Sequence, residues 1–181
     1  MKEKIIANKT IIMLIASIVA AALLVPSFIT YFGLNLTANV IVNLVQAGLI
    51  LATALALVFL LVYKKELTFQ TMLIPVVLFA SSQILNYVYN IIEHDNWASI
   101  YYLAIYTSIL ILYIISMVNQ NKYLLYALYI LLLVAIVLQL LGVFAGGMVA
   151  TASFIMLVLF VINIYLLSNG KEKIEQWKNH H

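Results

Sequence analysis

The chain has 181 residues, of which 66% are hydrophobic and 8% charged, and its formal net charge is +3. A soluble domain is closer to half apolar and a quarter charged, so this composition excludes a globular fold in water. All nine basic residues are lysines and there is no cysteine, which excludes arginine clamps for phosphate or carboxylate groups, disulfides and thiolate metal sites.

Six apolar segments follow one another along the chain, each close to the length of about 20 residues that a helix needs to cross a bilayer. The sequence therefore predicts an all-α integral membrane protein with a single transmembrane domain over residues 1–181. Its six transmembrane helices are predicted near residues 10–30, 38–62, 69–92, 97–118, 123–143 and 148–168. The connections are short, so the bundle is expected to consist of three antiparallel hairpins. The first segment is too long for a signal peptide and is predicted to be a retained helix.

The lysines predict the orientation of these helices. With six spans, all nine lysines fall on one side of the membrane: Lys2, Lys4, Lys9, Lys64, Lys65, Lys122, Lys171, Lys173 and Lys178. Cytoplasmic loops carry an excess of lysine, so both the N- and C-termini are predicted to be cytoplasmic in a multi-pass protein of the cell (inner or plasma) membrane. The lysines flank apolar segments and form no patch, so the expected partner is the lipid bilayer and not nucleic acid.

Polar side chains recur on single faces of the second, third and fourth predicted helices, where lipid makes them costly unless they face protein or water. The candidate ligand-binding residues are Asn39, Asn43, Gln46, Gln83, Asn86, Asn90, Tyr102, Tyr106 and Gln139. In the predicted orientation they all lie in the outer half of the membrane. Amides donate and accept hydrogen bonds, and tyrosines add flat apolar faces, so we predict an outward-facing pocket for a small, mostly neutral polar or amphiphilic ligand. The alternative is that these groups bond to one another across the bundle.

An ionisable cluster of Glu93, His94 and Asp95 follows the third predicted span, close to Trp97. It is either a cation or proton site, because histidine titrates near neutral pH, or a solvated loop at the outer mouth with an interfacial tryptophan. The loop is the preferred interpretation. Adjacent residues of a helix do not converge on one metal ion, so neither a metal site nor a cofactor is expected.

Ala16 and Ala20 on the first helix follow a small-xxx-small pattern, which lets helix backbones approach closely. They either pack inside the first hairpin or form a docking face for a membrane partner subunit. With its six helices and this Ala-x-x-x-Ala motif, the chain resembles the substrate-binding components of energy-coupling-factor vitamin transporters, although it lacks the glycine-rich middle of many of them. The resemblance implies a substrate-binding subunit that docks through Ala16 and Ala20.

No nucleophile–histidine–acid arrangement, paired intramembrane aspartates or phosphate-binding loop is present, so the chain is not expected to be an enzyme. Two functions remain. The first is binding or translocation of a small ligand, as in the substrate-binding component of a transporter. The alternative is a non-transporting sensor, immunity or accessory subunit that binds a peptide or protein partner in the membrane, and six-helix sensor domains of peptide-responsive kinases are similar in layout. A ligand-sized cavity favours the first function, whereas a filled core with paired amides favours the second.

Overall fold

The computed structural model describes residues 2–63, 68–119, 121–144 and 147–178, and at residues 2–9 and 166–178 it describes the backbone alone. Its helices are α1 (Lys2–Phe32), α2 (Ala38–Tyr63), α3 (Leu73–His94), α4 (Ser99–Val118), α5 (Lys122–Phe144) and α6 (Met148–Lys178). All six are long and apolar enough to cross a membrane, the apolar parts of α1 and α6 being Thr10–Phe32 and Met148–Tyr165. The part of the chain that is described contains no strand. The prediction of an all-helical protein with six membrane-length helices is confirmed.

The third helix begins at Leu73, four residues later than predicted. Thr68 and Thr71 form a turn before it: the Thr71 N–H donates to Thr68 Oγ1 over 3.1 Å, and the Thr68 N–H donates to Thr71 Oγ1 over 2.9 Å. These side-chain bonds compete with a helical start at this point. Pro75 then lies in the first turn of α3, where a missing N–H removes no helical hydrogen bond.

The six helices close into a ring. Each helix packs against the next in the chain, α6 packs against α1, and α6 also touches α2 and α3 across the bundle. On α1 the buried residues Met13, Ser17, Ala20 and Leu24 recur at steps of three and four, which is one helix face. The opposite face of α1 is apolar and exposed, as a helix in contact with lipid requires.

The two proposed docking residues of α1 lie on or beside its packed face. Ala20 is fully buried, and Ala16 is partly buried against the core. α1 packs against both α2 and α6, so packing inside the bundle accounts for the small size of Ala20. Docking of a partner at Ala16 and Ala20 stays a prediction.

Helices α5 and α6 approach closely at Gly142. A Cβ atom added at Gly142 would lie 2.9 Å from the Cβ of Ala150, closer than real side chains come. By contrast, a Cβ atom added at Gly48 on α2 meets nothing within 4 Å. The absence of a side chain is therefore needed at Gly142 and not at Gly48.

The lysines that predict the orientation are mostly beyond what the structure describes. Lys64 and Lys65 lie outside the described residues, and the six lysines near the termini have no described side chains. Lys122 is the first residue of α5, and its side chain is exposed.

Candidate functional site

Gln83 occupies a buried position between α3 and α6. Its side chain is 1% exposed, and its Nε2 donates to Ser153 Oγ on α6 over 3.2 Å and to Ser82 Oγ over 3.3 Å. The Ser82 hydroxyl in turn donates to the main-chain oxygen of Phe79 over 2.6 Å. Both amide donors of Gln83 are thus used, whereas no described residue donates to its carbonyl oxygen. A buried amide that retains a free acceptor is unusual, because buried polar groups are normally paired.

Three tyrosines stack next to Gln83, one turn along α3. The Tyr87 ring lies 4.9 Å from the Tyr102 ring at an interplanar angle of 12°, and 5.8 Å from the Tyr106 ring at 16°. Tyr102 and Tyr106 are one turn apart on α4, so a single residue of α3 contacts both. Such stacked pairs contribute about 0.5–1.5 kcal/mol beyond the burial of their surface. We call Gln83, Tyr87, Tyr102, Tyr106 and Ser153 the tyrosine–glutamine cluster.

The stack continues into the core through two phenylalanines. The Phe79 ring lies 6.1 Å from the Tyr106 ring and 5.4 Å from the Phe160 ring, in edge-to-face arrangements at 65° and 73°. Aromatic side chains of α3, α4 and α6 are therefore in continuous contact, and they hold the cluster in a fixed geometry.

The hydroxyl of Tyr106 has no hydrogen-bond partner among the described residues, although the side chain is only 1% exposed. The hydroxyl of Ser116 on the same helix is likewise buried and unpaired within the described part. Leaving a buried hydroxyl unpaired costs about 1–3 kcal/mol. This cost is removed when a ligand or water supplies the missing partner.

A small cavity lies on the core side of Tyr106. Its volume is about 10 Å³, and its walls are apolar and aromatic side chains of α3 to α6, among them Val76, Leu128 and Phe160. A space of this size holds about one water molecule. This cavity is too small for an organic ligand.

The amides of α3 and the tyrosines of α4 become more buried from the α3–α4 connection toward the core, although Ser99 at the start of α4 is buried. Asn90 and Asn86 are half-buried and Gln83 is buried, while Tyr102 is half-buried and Tyr106 is buried. No residue in 84–94 of α3 or 100–105 of α4 is buried on any face. Apart from Ser99, these ends of α3 and α4 are therefore exposed or half-buried, and the polar side chains become buried at Gln83 and Tyr106.

The amides of α2 show the same trend along their own helix. Asn39 is exposed, Asn43 is half-buried and Gln46 is 7% exposed. Asn43 Nδ2 donates to Asn39 Oδ1 over 2.9 Å, which shows that these two share a face. The amides of Gln46, Asn86 and Asn90 make no side-chain hydrogen bonds with described residues. Gln139 on α5 is 9% exposed and also lacks a described partner.

The ionisable cluster lies in the turn that ends α3. Glu93, His94 and Asp95 are all exposed, and Asp95 adopts a left-handed conformation with φ of 47° while its N–H donates to the oxygen of Asn90. Aspartate is one of the few residues that tolerate this conformation. The His94 ring contacts Tyr89 edge-on at 5.6 Å. Among the described residues no three His, Asp or Glu side chains are placed so that they could hold one metal ion, and exposure in a helix-ending turn is what a solvated loop requires.

The structure thus brings Tyr102 and Tyr106 together on Tyr87, joins Gln83 to Ser153 and keeps Asn39 and Asn43 paired on α2. Sequence reasoning did not select Tyr87, Phe79 or Ser153 as site residues. A signal was present for two of them, because Phe79, Gln83 and Tyr87 follow at steps of four and so lie on one face of α3.

Comparisons of the chain with protein-family models, with curated proteins and with solved structures find no significant match.

Proposed function

We propose that this protein binds a small amphiphilic ligand in a polar vestibule between α2, α3 and α4, either by itself or as the substrate-binding component of a transporter. The vestibule is defined by the amides of α2 and α3 and the tyrosines of the cluster: Asn39, Asn43, Gln46, Gln83, Asn86, Asn90, Tyr87, Tyr102 and Tyr106. The observation that carries the proposal recurs on all three helices. The side chains pass from exposed or half-buried to buried within one or two turns, from Asn39 to Gln46 on α2, from Asn90 to Gln83 on α3 and from Tyr102 to Tyr106 on α4.

The proposal includes the arrangement of the helices as antiparallel hairpins. Aromatic contacts support it for α3 and α4: Phe69 contacts Tyr113, Phe79 contacts Tyr106, and Tyr87 contacts Tyr102. Residue numbers on α4 therefore fall as those of the turn before α3 and of α3 itself rise, as in antiparallel helices. The same arrangement between α2 and α3 puts the start of α2 beside the end of α3. The amides of α2 then line the same vestibule as those of α3.

The proposed orientation places the vestibule on the outer side of the cell membrane and both termini in the cytoplasm. The support is the distribution of charge in the sequence. Six spans put all nine lysines on one side, and Glu93 and Asp95 on the other.

The chemistry of the vestibule favours a ligand with both a polar and an apolar part. The amide groups of Gln46, Asn86 and Asn90, which have no side-chain partner among the described residues, can donate and accept hydrogen bonds, and tyrosine rings offer flat apolar surfaces. A ligand bound at Tyr106 also supplies the partner that its buried hydroxyl lacks.

The test is ligand binding by the full chain in lipid nanodiscs, screened by thermal shift against vitamins, nucleosides, amino acids and lipids. We expect a hit whose affinity falls at least about tenfold, or 1.4 kcal/mol, in Asn43→Leu and Asn86→Leu. Gln70→Leu is the control, because Gln70 is an exposed amide in the turn before α3. Unchanged affinity in both vestibule variants, with hits retained, contradicts the proposal.

A second function is favoured by a different observation. The cavity has room for about one water, and two pairs of polar side chains hydrogen-bond to each other, Asn39 with Asn43 and Gln83 with Ser153. A filled core of this kind fits a sensor, immunity or accessory subunit that binds a peptide or protein partner in the membrane. On this alternative, Asn43→Leu and Asn86→Leu change the unfolding free energy, and no member of the ligand screen raises the melting temperature.

A further inference from the structure

We infer that the ligand of the α2–α4 vestibule is a small organic monocation that carries a protonated amine. This inference rests on the proposed function and narrows its ligand class. It is carried by three features of the described residues: the sign of the charge at the mouth, the free acceptors at the floor, and the aromatic wall between them.

The charges at the mouth are negative. Glu93 and Asp95 are exposed where α3 ends, beside His94. The sequence has no lysine or arginine from 66 to 121, so the two carboxylates face no lysine of α3, α4 or their connection. Glu93 follows Asn90 and Asn86 at steps of three and four, so the polar face of α3 leads from the mouth to the vestibule. A field of this sign draws cations and repels anions.

The floor of the vestibule offers hydrogen-bond acceptors whose partners are missing. The Gln83 amide uses both of its N–H donors on Ser153 and Ser82, which leaves its carbonyl oxygen free among the described residues. The hydroxyl of Tyr106 is fully buried and unpaired there. Tyr106 stacks on Tyr87, one turn from Gln83 on α3, so both acceptors belong to the same cluster. An ammonium group has three donors and no acceptor, which matches this set.

The wall between mouth and floor is aromatic. Tyr102 stacks one face on Tyr87 and remains half-buried, and no other described ring contacts it. A cation near the ring of a tyrosine is attracted by its quadrupole, and more strongly where water is partly excluded. A neutral ligand of the same shape gains neither this attraction nor that of the carboxylates.

The experiment compares amines with alcohols of the same shape, using calorimetry on the full chain in nanodiscs of neutral lipid, with empty nanodiscs as the blank. The probes are 2-phenylethylamine against 2-phenylethanol, and butylamine against 1-butanol. At pH 7 the amines are protonated and the alcohols are neutral. We expect at least one amine to bind about tenfold more tightly than its alcohol, an advantage that shrinks as salt is raised.

The double variant E93Q/D95N separates charge from shape. Asparagine tolerates the left-handed conformation at position 95, so the turn is retained. In this variant we expect the ratio of amine affinity to alcohol affinity to fall at least about threefold, while the alcohol affinity is unchanged. The control is E66Q, which removes a carboxylate from a different segment of the sequence.

The outcomes distinguish the two proposals. An alcohol that binds as tightly as its amine overturns the monocation inference and leaves the vestibule in place. An amine advantage that E93Q/D95N does not reduce also overturns it. Absence of binding by all four probes overturns the inference as well, and the Asn43→Leu and Asn86→Leu screen then decides the proposed function separately.

Discussion

The hydroxyl of Tyr113 on α4 donates a hydrogen bond of 2.8 Å to the main-chain oxygen of Phe69, in the turn before α3. The two rings also contact each other, with centroids 5.8 Å apart. One side chain of the second half of α4 therefore holds the turn before α3 by both a polar and an aromatic contact. Tyr106, two turns earlier on α4, is equally buried, but its hydroxyl is unpaired within the described residues.

Replacing Tyr113 with phenylalanine is expected to destabilise the fold by about 1–2 kcal/mol, because the carbonyl of Phe69 loses its partner in a buried place. The measurement is the unfolding free energy in mixed detergent micelles. Tyr101→Phe is the matched control on the same helix, since Tyr101 is 75% exposed. Equal stability of both variants contradicts the role assigned to the Tyr113 hydroxyl.

Tyr106→Phe is expected to have the opposite effect in the absence of ligand. It removes an unpaired buried hydroxyl while the ring contacts with Tyr87 and Phe79 remain. We expect the unfolding free energy to rise by about 1 kcal/mol, measured under the same conditions. On the proposed function the same variant weakens ligand binding, so stability and affinity move in opposite directions. A loss of stability comparable to that of Tyr113→Phe is the result that speaks against an unpaired hydroxyl.

Gly142→Ala tests the close approach of α5 and α6. The added methyl group would stand 2.9 Å from the Cβ of Ala150, a rigid neighbour, so we expect a loss of about 1–3 kcal/mol in unfolding free energy. Ala150→Gly in the same chain is expected to restore most of that loss by removing the clashing atom. Gly48→Ala is the control, because nothing lies within 4 Å, and alanine there is expected to be neutral or stabilising by up to about 1 kcal/mol.

The hydrogen bond between Gln83 and Ser153 is tested by a double-mutant cycle with Gln83→Met and Ser153→Ala. Inter-helix hydrogen bonds in membranes contribute about 0.6–1.7 kcal/mol, so a coupling energy in this range is expected. The matched cycle pairs Gln83→Met with Ser116→Ala, whose hydroxyl has no described partner, and its coupling is expected to be close to zero. Similar coupling in both cycles means that α3 and α6 are not joined at this point.

The helices were predictable because a bilayer imposes one requirement on each of them. About 20 apolar residues in succession satisfy it, and the sequence contains six such segments. The start of α3 could not be predicted in the same way. The run around Phe69 and Met72 is apolar enough to belong to the helix, but Thr68 and Thr71 form a hydrogen-bonded turn there.

The contacts of the candidate site within one helix could be predicted from the sequence. The contacts between two helices could not. The step of four from Asn39 to Asn43 places both on one face of α2, and their amides do bond to each other. The partner of Gln83 is 70 residues away in the chain, and choosing it requires the rotation of α3 and α6 about their axes. Periodicity within each helix carries no information on that rotation.

The orientation is the remaining prediction, and the chain is well suited to its measurement because it contains no cysteine. Single cysteines at Asn96, after α3, and at Asn121, before α5, are both in exposed positions. With cytoplasmic termini, a membrane-impermeant maleimide added to intact cells is expected to label Asn96→Cys at once and Asn121→Cys only after permeabilisation. Both positions are exposed, one before and one after α4, so differences in local exposure do not explain such a contrast. Labelling of Asn121→Cys alone in intact cells reverses the orientation, turns Glu93 and Asp95 toward the cytoplasm, and removes the physical basis for a vestibule that collects cations from outside.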